Sequence, residues 1–325
     1  MNAHRIVLIG YSDFARRTIV PAIESLPALK LVGIASRSHA RAIPLHIPAY
    51  RRYDRAIDQS QAHTVYISLH NSAHAKWIEY ALSRGKHVIV DKPAVLTKRE
   101  AQTCLLASRG TLLLWESLPY LFHPQYQAIK TYLARTKSPI QSITAHFGFP
   151  MLAAHNFRNT LSLGGGCLYD IAPYLVSVGS HLTGRHPTRV HVRILAKDRR
   201  GLPLRAAVEM TYPDTICLQG LIGFGLEYRN YLAIWGNNFL ISLDRAFTLP
   251  PAQSNTVFLR CRNKISRIPI APSSAFARML RAYLAVLKEG SYERRNRVWY
   301  DACITLDALV RSARTNQPKT IRYEA

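Results

Sequence analysis

The sequence predicts an α/β domain with a doubly wound parallel sheet, followed by an α+β domain with a mostly antiparallel open sheet. Three observations support this prediction. Short apolar segments alternate with helix-like segments over the first third of the chain, a glycine directly follows the first apolar segment, and longer alternating segments begin after about residue 120. We place the two domains at residues 1–118 and 119–325.

The apolar segments of the first domain are short and rich in β-branched residues: RIVLIG, LKLVGIAS, HTVYISLH, GKHVIVDKP and TLLLWES. The segments between them have the pattern of amphipathic helices: DFARRTIVPAIESL, SAHAKWIEYALSRG and TKREAQTCLLASRG. Such alternation is typical of a parallel sheet covered by helices on both faces. Gly85 and Gly110 stand just past the last turns of two of these helices, where glycine commonly ends a helix.

The second domain begins with a helix-like segment, FHPQYQAIKTYLART, and then changes its pattern. Five segments alternate apolar and polar residues: IQSITAHFGFP, TRVHVRILAKD, LRAAVEMTYP, TICLQGLIGFG and NYLAIWGNNFLISLD. A period of two predicts an antiparallel sheet with one face open to solvent or to a partner. Two helical segments, SAFARMLRAYLAVLKEG and NRVWYDACITLDALVRSAR, close the chain. Because the sheet would have a large apolar face, we expect a homo-dimer or tetramer.

Composition indicates a globular protein with neither a membrane-spanning segment nor a metal site. The chain has 325 residues, of which 48% are hydrophobic, and we see no apolar run long enough to span a membrane. The amino terminus lacks the pattern of a signal peptide. The five cysteines are scattered, without the spacing of metal ligands. We therefore expect a reduced, cytoplasmic protein with no metal site.

The balance of charge is unusual. The chain has 43 Lys and Arg against 19 Asp and Glu, for a formal net charge of +24. Such an excess permits a polyanionic partner, and nucleic acid has to be considered. However, the basic residues are spread along the whole chain, and the densest groups lack the interleaved aromatic residues of a base-stacking surface. The pattern favours a generally basic surface or an anionic small ligand over nucleic acid.

The first turn, GYSDFA at residues 10–15, has most of the features of a dinucleotide-binding turn. In the usual pattern, one glycine permits the bend, a second admits the pyrophosphate, and a third small residue lets helix and strand pack closely. Gly10 and Ala15 occupy the first and third positions. Ser12 replaces the second glycine, but it is small and its hydroxyl can donate to a phosphate at the helix amino terminus. An ordinary turn is the alternative, and the position between a first strand and a first helix favours the cofactor site.

The end of the second strand predicts NADP rather than NAD. A site for NAD places an acidic residue there to bind the adenosine ribose. This chain has GIASRSHAR instead, in which Ser36, Arg37 and Arg41 offer a hydroxyl and guanidinium groups to a 2′-phosphate. A solvated basic loop is the alternative interpretation.

Two longer segments resemble a known family. VYISLHNSAHAKWIEYALSRGKHVIVDKP resembles the glucose–fructose oxidoreductase/inositol dehydrogenase (Gfo/Idh/MocA) superfamily, in which the corresponding strand ends in Glu-Lys-Pro. LGGGCLYDIAPY resembles its second signature, a glycine triplet followed by Asp and, four residues later, His or Tyr. The resemblance covers both domains and implies an N-terminal Rossmann fold.

Within that superfamily, the chain is most similar to the NDP-hexose 3-ketoreductases of deoxysugar pathways. The segments that carry this similarity are GYSDFARRTIVPAI, FHPQ, FRNTLSLGGG and NNFLISLDRAFTLPP. Four features depart from the superfamily: Asp91 replaces the usual Glu, His70 stands where Pro is common, Pro173 lies between the Asp and the Tyr of the second signature, and the charge is strongly positive.

The resemblance implies an NADP(H)-dependent oxidoreductase that acts on a sugar-like ketone or alcohol. The favoured reaction is reduction of a 3-keto group on a nucleotide-linked hexose, so the expected partner is an anionic sugar nucleotide. A dihydrodiol or aldose dehydrogenase of the same superfamily is one alternative. A regulatory protein that binds NADP without turnover is another.

Ketone reduction needs a proton donor, a cation and correct orientation of the substrate. We predict Tyr174 as the proton donor and Lys92, at the carboxyl end of a parallel strand, as the cation beside it. Asp170, one helical turn before Tyr174, would orient the substrate or the lysine. Glu116 and Arg158 are predicted to bind substrate. A packed aromatic, a solvated cation and a helix-capping carboxylate are the structural alternatives for such residues.

The residues expected to contact the cofactor lie after the successive strands of the first domain. They are Gly10, Ser12, Asp13, Phe14, Ala15, Ser36, Arg37, Arg41, Leu69, His70, His74 and Lys92.

Overall fold

The computed structural model describes residues 3–38, 40–136, 138–262 and 264–323, without the side chain of Arg41. The chain divides into two compact units. The first contains the chain up to Leu118 together with Phe276–Cys303, and the second contains Pro119–Ala275 and the chain from Ile304 onward. Phe276–Cys303, which lies within the predicted second domain of residues 119–325, belongs to the first unit in the structure.

The first unit is built on a six-stranded sheet in which every neighbouring pair is parallel. Its strands are β1 (His4–Ile9), β2 (Leu29–Ala35), β3 (Ala49–Tyr50), β4 (Thr64–Ile67), β5 (His87–Asp91) and β6 (Leu114–Ser117). Its early helices are α1 (Val20–Glu24), α2 (Tyr53–Gln59), α3 (His74–Ser83) and α4 (Lys98–Ser108). The order β3-β2-β1-β4-β5-β6 reverses direction between β1 and β4. In open α/β sheets, ligands bind outside the carboxyl ends of the strands at such a switch point.

The first helical segment differs from the single helix that the sequence predicts. A π-helical turn, Ala15–Ile19, precedes α1, and the Val20 N–H bonds to the carbonyl of Ala15, five residues earlier. Pro21 follows directly and has no N–H to give to the carbonyl four residues before it. The wider turn therefore coincides with a break in the regular hydrogen-bond ladder.

The second unit is built on a nine-stranded sheet. Its strands are β7 (Ile140–Phe149), β8 (Arg189–Lys197), β9 (Pro203–Thr211), β10 (Cys217–Phe224), β11 (Arg229–Gly236), β12 (Phe239–Asp244), β13 (Asn255–Cys261), β14 (Lys264–Ile270) and β15 (Lys319–Thr320). Their order is β14-β13-β12-β11-β7-β10-β9-β8-β15. The central pair β7–β10 is parallel, and the other neighbouring pairs are antiparallel. The predicted fold class is confirmed for both parts of the chain.

Helices cover one face of the nine-stranded sheet. Helix α5 (Pro124–Thr136) packs against β13 and β14, and α6 (Cys167–Thr183) packs against β7, β9 and β10. The segment Leu161–Thr183 is long and apolar enough to cross a membrane by length and composition, in contrast to the prediction that no such run exists. However, 67% of its apolar window is buried inside the protein, as is typical of a core helix.

The other face of this sheet is open within the described chain. It exposes large apolar side chains, with Trp235 at 64%, Ile265 at 62% and Phe258 at 39% relative exposure. The strand period of two separates these side chains from inward neighbours such as Ile234 and Val257, which are buried. The homo-oligomer predicted from this alternation stays a prediction.

Parts of two late helices belong to the first unit: α7 (Ala275–Leu287) from Phe276 onward and α8 (Glu293–Thr315) up to Cys303. The Tyr283 hydroxyl lies 2.7 Å from the Thr64 Oγ1 at the start of β4. Asn296 is fully buried. Its side chain accepts from the Leu114 N–H at 2.9 Å and donates to the Leu112 carbonyl at 2.8 Å. These contacts explain why Phe276–Cys303 belongs to the first unit.

Replacing Asn296 with Ala should destabilise the first unit, because backbone groups at the start of β6 would lose their partners while they stay buried. We expect a loss of about 2–4 kcal/mol in the free energy of unfolding, measured by denaturant titration. Arg294→Ala on the exposed side of the same helix is the matched control and should change stability by under about 0.5 kcal/mol. Equal effects from the two variants would show that Asn296 does not hold α8 to the sheet.

Candidate functional site

The turn after β1 brings three strand ends of the first unit together. Gly10 has φ +97°, and a Cβ atom there would lie 1.9 Å from the Ser68 carbonyl oxygen, so only glycine fits. The Gly10 N–H donates to the Ala35 carbonyl at 2.8 Å. Ser12 caps the following helical segment, since its Oγ accepts from the Ala15 N–H at 3.2 Å. The Ser12 hydroxyl hydrogen remains able to donate to a phosphate, as the sequence predicts.

The other residues of this turn have distinct surroundings. Asp13 forms an ion pair with Arg16 at 2.9 Å. Phe14 is 48% exposed, and its ring meets that of Phe276 edge-on with the centroids 5.6 Å apart. Ala15 is fully buried, which agrees with the need for a small residue where helix and strand pack. The turn therefore presents a polar edge and an exposed aromatic ring beside the glycine.

The end of β2 presents a cation without an acid. Ser36 is buried, and its N–H donates to the Tyr50 carbonyl at 2.9 Å. Arg37 is exposed, and its guanidinium carbon lies 5.5 Å from the centroid of the Tyr53 ring. The side chain of Arg41 lies outside the described residues. This geometry fits a ribose 2′-phosphate better than two free ribose hydroxyls.

Three residues after β4, Leu69, His70 and His74, are predicted cofactor contacts, and they differ in their surroundings. The Leu69 side chain lies against the Gly10 turn, and the His70 Nδ1 is 3.1 Å from the Ser72 Oγ. His74 is fully buried, with Nδ1 2.8 Å from the Pro93 carbonyl oxygen and Nε2 3.1 Å from the Leu69 carbonyl oxygen. Both ring nitrogens thus face the main chain of the protein. The predicted contact of His74 with a cofactor stays a prediction, and the structure shows that both ring nitrogens face protein carbonyls.

Burial lowers the pKa of His74, while the Pro93 carbonyl and the Asp91 carboxylate act in the opposite direction. A neutral imidazole has one N–H and can donate to only one of the two carbonyls. With its proton on Nδ1, at the shorter of the two distances, His74 donates to the Pro93 carbonyl and links the chain after β4 to the chain after β5.

Asp91, the residue before Lys92, is held by the side chains of Tyr66 on β4 and of Ser68 directly after β4. Asp91 accepts from the Ser68 hydroxyl at 2.7 Å and from the Tyr66 hydroxyl at 3.1 Å. Burial raises the pKa of Asp91, and the two hydroxyls oppose the rise. Asp91, which is one methylene shorter than the usual Glu, therefore has two hydrogen-bond donors, Ser68 and Tyr66, within reach. Sequence reasoning missed Tyr66 and Ser68, although polar residues near the carboxyl end of a buried strand were a usable signal.

Glu116 contacts the segment after Lys92. Its Oε1 accepts from the Ala94 N–H at 2.8 Å. Burial raises the pKa of Glu116 to about 7, and the Ala94 hydrogen bond and the charge of Lys92 oppose this rise. The sequence predicted Glu116 as a substrate ligand, and the structure shows one of its oxygens bonded to the protein itself.

In the second unit, the glycine triplet packs around the Arg158 main chain. The Gly166 N–H donates to the Arg158 carbonyl at 2.9 Å, and a Cβ on Gly165 would lie 2.4 Å from that oxygen. This close approach sets Arg158 beside the first turn of α6. Its Nε donates to the Asp170 Oδ1 at 2.8 Å, and Asp170 is buried. The sequence predicted separate roles for these two residues, and the structure joins them in an ion pair.

Tyr174 lies on α6 one helical turn after Asp170, and its ring is set in an aromatic cluster. Its ring centroid lies 5.2 Å from that of Phe147 and 5.5 Å from those of Tyr120 and Phe247. The Tyr120 hydroxyl also donates to the Tyr174 carbonyl at 3.1 Å. The Phe147 ring meets that of Tyr174 edge-on and the other two rings are tilted against it, and packing on three rings fixes the direction of the phenol.

Among the described residues, no group of three or more His, Cys, Asp and Glu side chains could hold a metal ion.

Comparison with known proteins identifies the class of protein. Residues 4–112 match the model described as oxidoreductase family, NAD-binding Rossmann fold, and residues 138–241 match the GFO/IDH/MocA C-terminal domain. The chain belongs to the GFO/IDH/MocA family, and it is an oxidoreductase of the kind that uses a nicotinamide dinucleotide.

Several proteins with similar sequences are named as reductases of nucleotide-linked sugars. The chain is 33% identical over 264 residues to the dTDP-3,4-didehydro-2,6-dideoxy-α-D-glucose 3-reductase of Streptomyces violaceoruber, covering 78% of this chain and 75% of the relative. It is 28% identical over 295 residues to the reductase of the same name from Streptomyces antibioticus, covering 88% and 89%. Its fold matches KijD10, a 3-ketoreductase from Actinomadura kijaniata solved with NADP and TDP-benzene, with a TM-score of 0.86, 24% identity and coverage of 96% and 98%.

Glu116 should make the stability of the protein depend on pH. Its folded pKa of about 7 lies above the ordinary value of 4.5, so the folded state binds more protons than the unfolded state between these values. The stabilisation that protonated Glu116 gives the wild-type protein at acid pH is therefore lost as the pH rises from 4.5 through about 7. Glu116→Gln has no carboxyl group to titrate. The difference in melting temperature, variant minus wild type, should therefore increase from pH 4.5 to 7 and then become constant.

A series of thermal melts from about pH 4.5 to 8.5 measures this difference. Glu24→Gln, which removes an exposed carboxylate from α1, is the matched control and should show a smaller dependence on pH. A constant difference between Glu116→Gln and wild type across the series would contradict the raised pKa.

Proposed function

We propose that this chain is an NADPH-dependent ketoreductase whose substrate is a nucleotide-linked 3-keto-hexose. The observation that carries the proposal is that Lys92 follows β5 at the ligand-binding edge of the sheet, in a member of an oxidoreductase family that also retains Tyr174 in its second signature. The names of the relatives supply the substrate class.

The residues of the first unit fit a bound NADPH. Gly10 permits the tight turn against the Ser68 carbonyl at the switch point, and the Ser12 hydroxyl is available to a phosphate oxygen at the helix start. Arg37 stands where an acid would select NAD, and a guanidinium can bind a 2′-phosphate through paired hydrogen bonds. When bound, the cofactor supplies the hydride that reduces the ketone carbon.

The protein must supply a proton to the oxygen that develops negative charge. Tyr174 is proposed as that donor, because its phenol is directed by a rigid aromatic cluster. The ammonium of Lys92 is proposed to stabilise the developing charge and to hold the nicotinamide ribose. Arg158 fixes the Asp170 carboxylate, which in this proposal orients a substrate hydroxyl.

The cofactor preference is testable by direct binding. NADPH should bind at least about tenfold more tightly than NADH, because a charged hydrogen bond to the 2′-phosphate contributes about 1.5–3 kcal/mol. Arg37→Ala should remove most of the preference while it changes NADH affinity little. Fluorescence titration of both cofactors gives the four dissociation constants, and Arg294→Ala, which removes an exposed arginine from α8, is the control for loss of a positive charge. Equal affinities of the unmodified protein for the two cofactors would refute this assignment.

The reaction centre is testable by two substitutions. Tyr174→Phe keeps the aromatic packing and removes only the hydroxyl, so NADPH affinity should stay within about threefold while turnover falls by about 10²–10⁴-fold. Lys92→Ala should lower turnover further, since it removes a charge that acts on the reacting oxygen. If the two side chains serve one step, the double variant should be little worse than Lys92→Ala.

The assay begins with a panel of nucleotide-linked keto-sugars, and simple diols and aldoses are run in the oxidative direction. Full turnover by Tyr174→Phe would exclude Tyr174 as the proton donor. Tight NADPH binding without turnover of any panel member would favour the regulatory alternative, and turnover of only a diol or an aldose would favour the dehydrogenase alternative.

A further inference from the structure

The two residues after Lys92 are each held by a buried side chain. The Pro93 carbonyl oxygen lies 2.8 Å from the His74 Nδ1, and the Ala94 N–H donates to the Glu116 Oε1 at 2.8 Å. Ala94 and His74 are both fully buried. We call these two contacts, made by His74 and Glu116, the backbone clamp.

The backbone clamp holds the chain from both sides of β5. His74 begins α3, which follows β4, and Glu116 belongs to β6. In the sheet, β5 lies between β4 and β6, and Val90 is paired with both Ile67 and Glu116. The end of β5 is therefore tied to both of its neighbours beyond the regular strand hydrogen bonds.

Lys92 stands between two held residues. Asp91, on its amino side, accepts from Ser68 and Tyr66, and the backbone clamp begins directly on its carboxyl side. A group that acts on a reacting oxygen loses much of its effect when it is displaced by about 1 Å, so the main chain that carries it needs such support.

The backbone clamp has chemistry suited to support rather than to ligand binding. Both nitrogens of His74 face main-chain carbonyls, which leaves neither directed to a ligand. The Glu116 carboxylate interacts electrostatically with Lys92 and with the buried thiol of Cys303 on α8. An ionised Glu116 is a stronger acceptor for the Ala94 N–H than a protonated one.

We propose that His74 and Glu116 are positioning residues that fix Lys92 for the reaction by holding the main chain of Pro93 and Ala94. This inference rests on the proposed role of Lys92 in the function above. It assigns to Glu116 and His74 roles that differ from the substrate and cofactor contacts that the sequence predicts.

The first test separates the two properties of Glu116. Glu116→Ala removes both the acceptor and the charge, and it should lower kcat by about tenfold or more. Glu116→Gln keeps an oxygen for the Ala94 N–H, so it should recover most of kcat at pH 8. Because burial raises the pKa of Glu116 to about 7, wild-type kcat should fall as the pH drops through 7, and this decline should be weaker in Glu116→Gln. Glu24→Gln should keep the wild-type profile.

The second test asks whether Glu116 acts through Lys92. In the Lys92→Ala background, Glu116→Ala should change kcat by less than about twofold, although it lowers kcat strongly when Lys92 is present. His74→Leu should show the same dependence on Lys92; if it does not fold, the Glu116 variants carry the test. An equal loss of kcat with and without Lys92, or a lower melting temperature with unchanged kcat, would overturn the inference.

NADPH affinity distinguishes failure of this inference from failure of the proposed function. If wild type reduces no keto-sugar, the proposed function fails, and NADPH titration replaces the kinetic measurement. Glu116→Ala should then weaken NADPH binding by about threefold or more when Lys92 is present and by less than about twofold in Lys92→Ala. Unchanged NADPH affinity in such an inactive protein would refute the backbone clamp as well.

Discussion

The close approach of Gly10 to the Ser68 carbonyl is the constraint on which the cofactor side of the site depends. It sets the turn after β1 against the chain that leaves β4, at the point where the order of the parallel sheet reverses. Ser68 then serves a second purpose, since its hydroxyl holds Asp91 beside Lys92. One short segment after β4 thus connects the turn expected to receive phosphate with the strand that carries the candidate cation.

Much of the fold was predictable because its signals are local. Continuous apolar strands, helix-ending glycines and period-two alternation indicated the parallel and antiparallel parts, and the capping box of Thr97 and Glu100 marks a predicted helix start. Other features depend on contacts far apart in sequence. The parallel pairing of β7 with β10 and the return of α7 to the first unit have no local pattern, so sequence reasoning did not reach them.

The candidate site shows the same division. Lys92, Asp170 and Tyr174 were identified as residues, because each belongs to a short motif. The contacts that support them were not identified, because the hydrogen bond from the Ala94 N–H to Glu116, for example, joins positions 22 residues apart through the sheet. The Arg158–Asp170 pair likewise depends on the way the glycine triplet folds around the Arg158 main chain. Short sequence motifs therefore identify candidate residues, whereas the contacts that hold these residues depend on the packing of distant segments.

The open face of the nine-stranded sheet carries part of the large positive charge of the chain. Arg229, Arg260 and Arg267 are exposed there, while Ile234 and Val257 point the other way into the core. Because neighbouring residues of a strand face opposite sides, an outward position can change from neutral to basic without altering the packing on the helix-covered side. The surface of such a sheet can accumulate charge over many substitutions while the packing around Tyr174 stays the same, so the net charge of the chain and the structure of its second signature can vary independently.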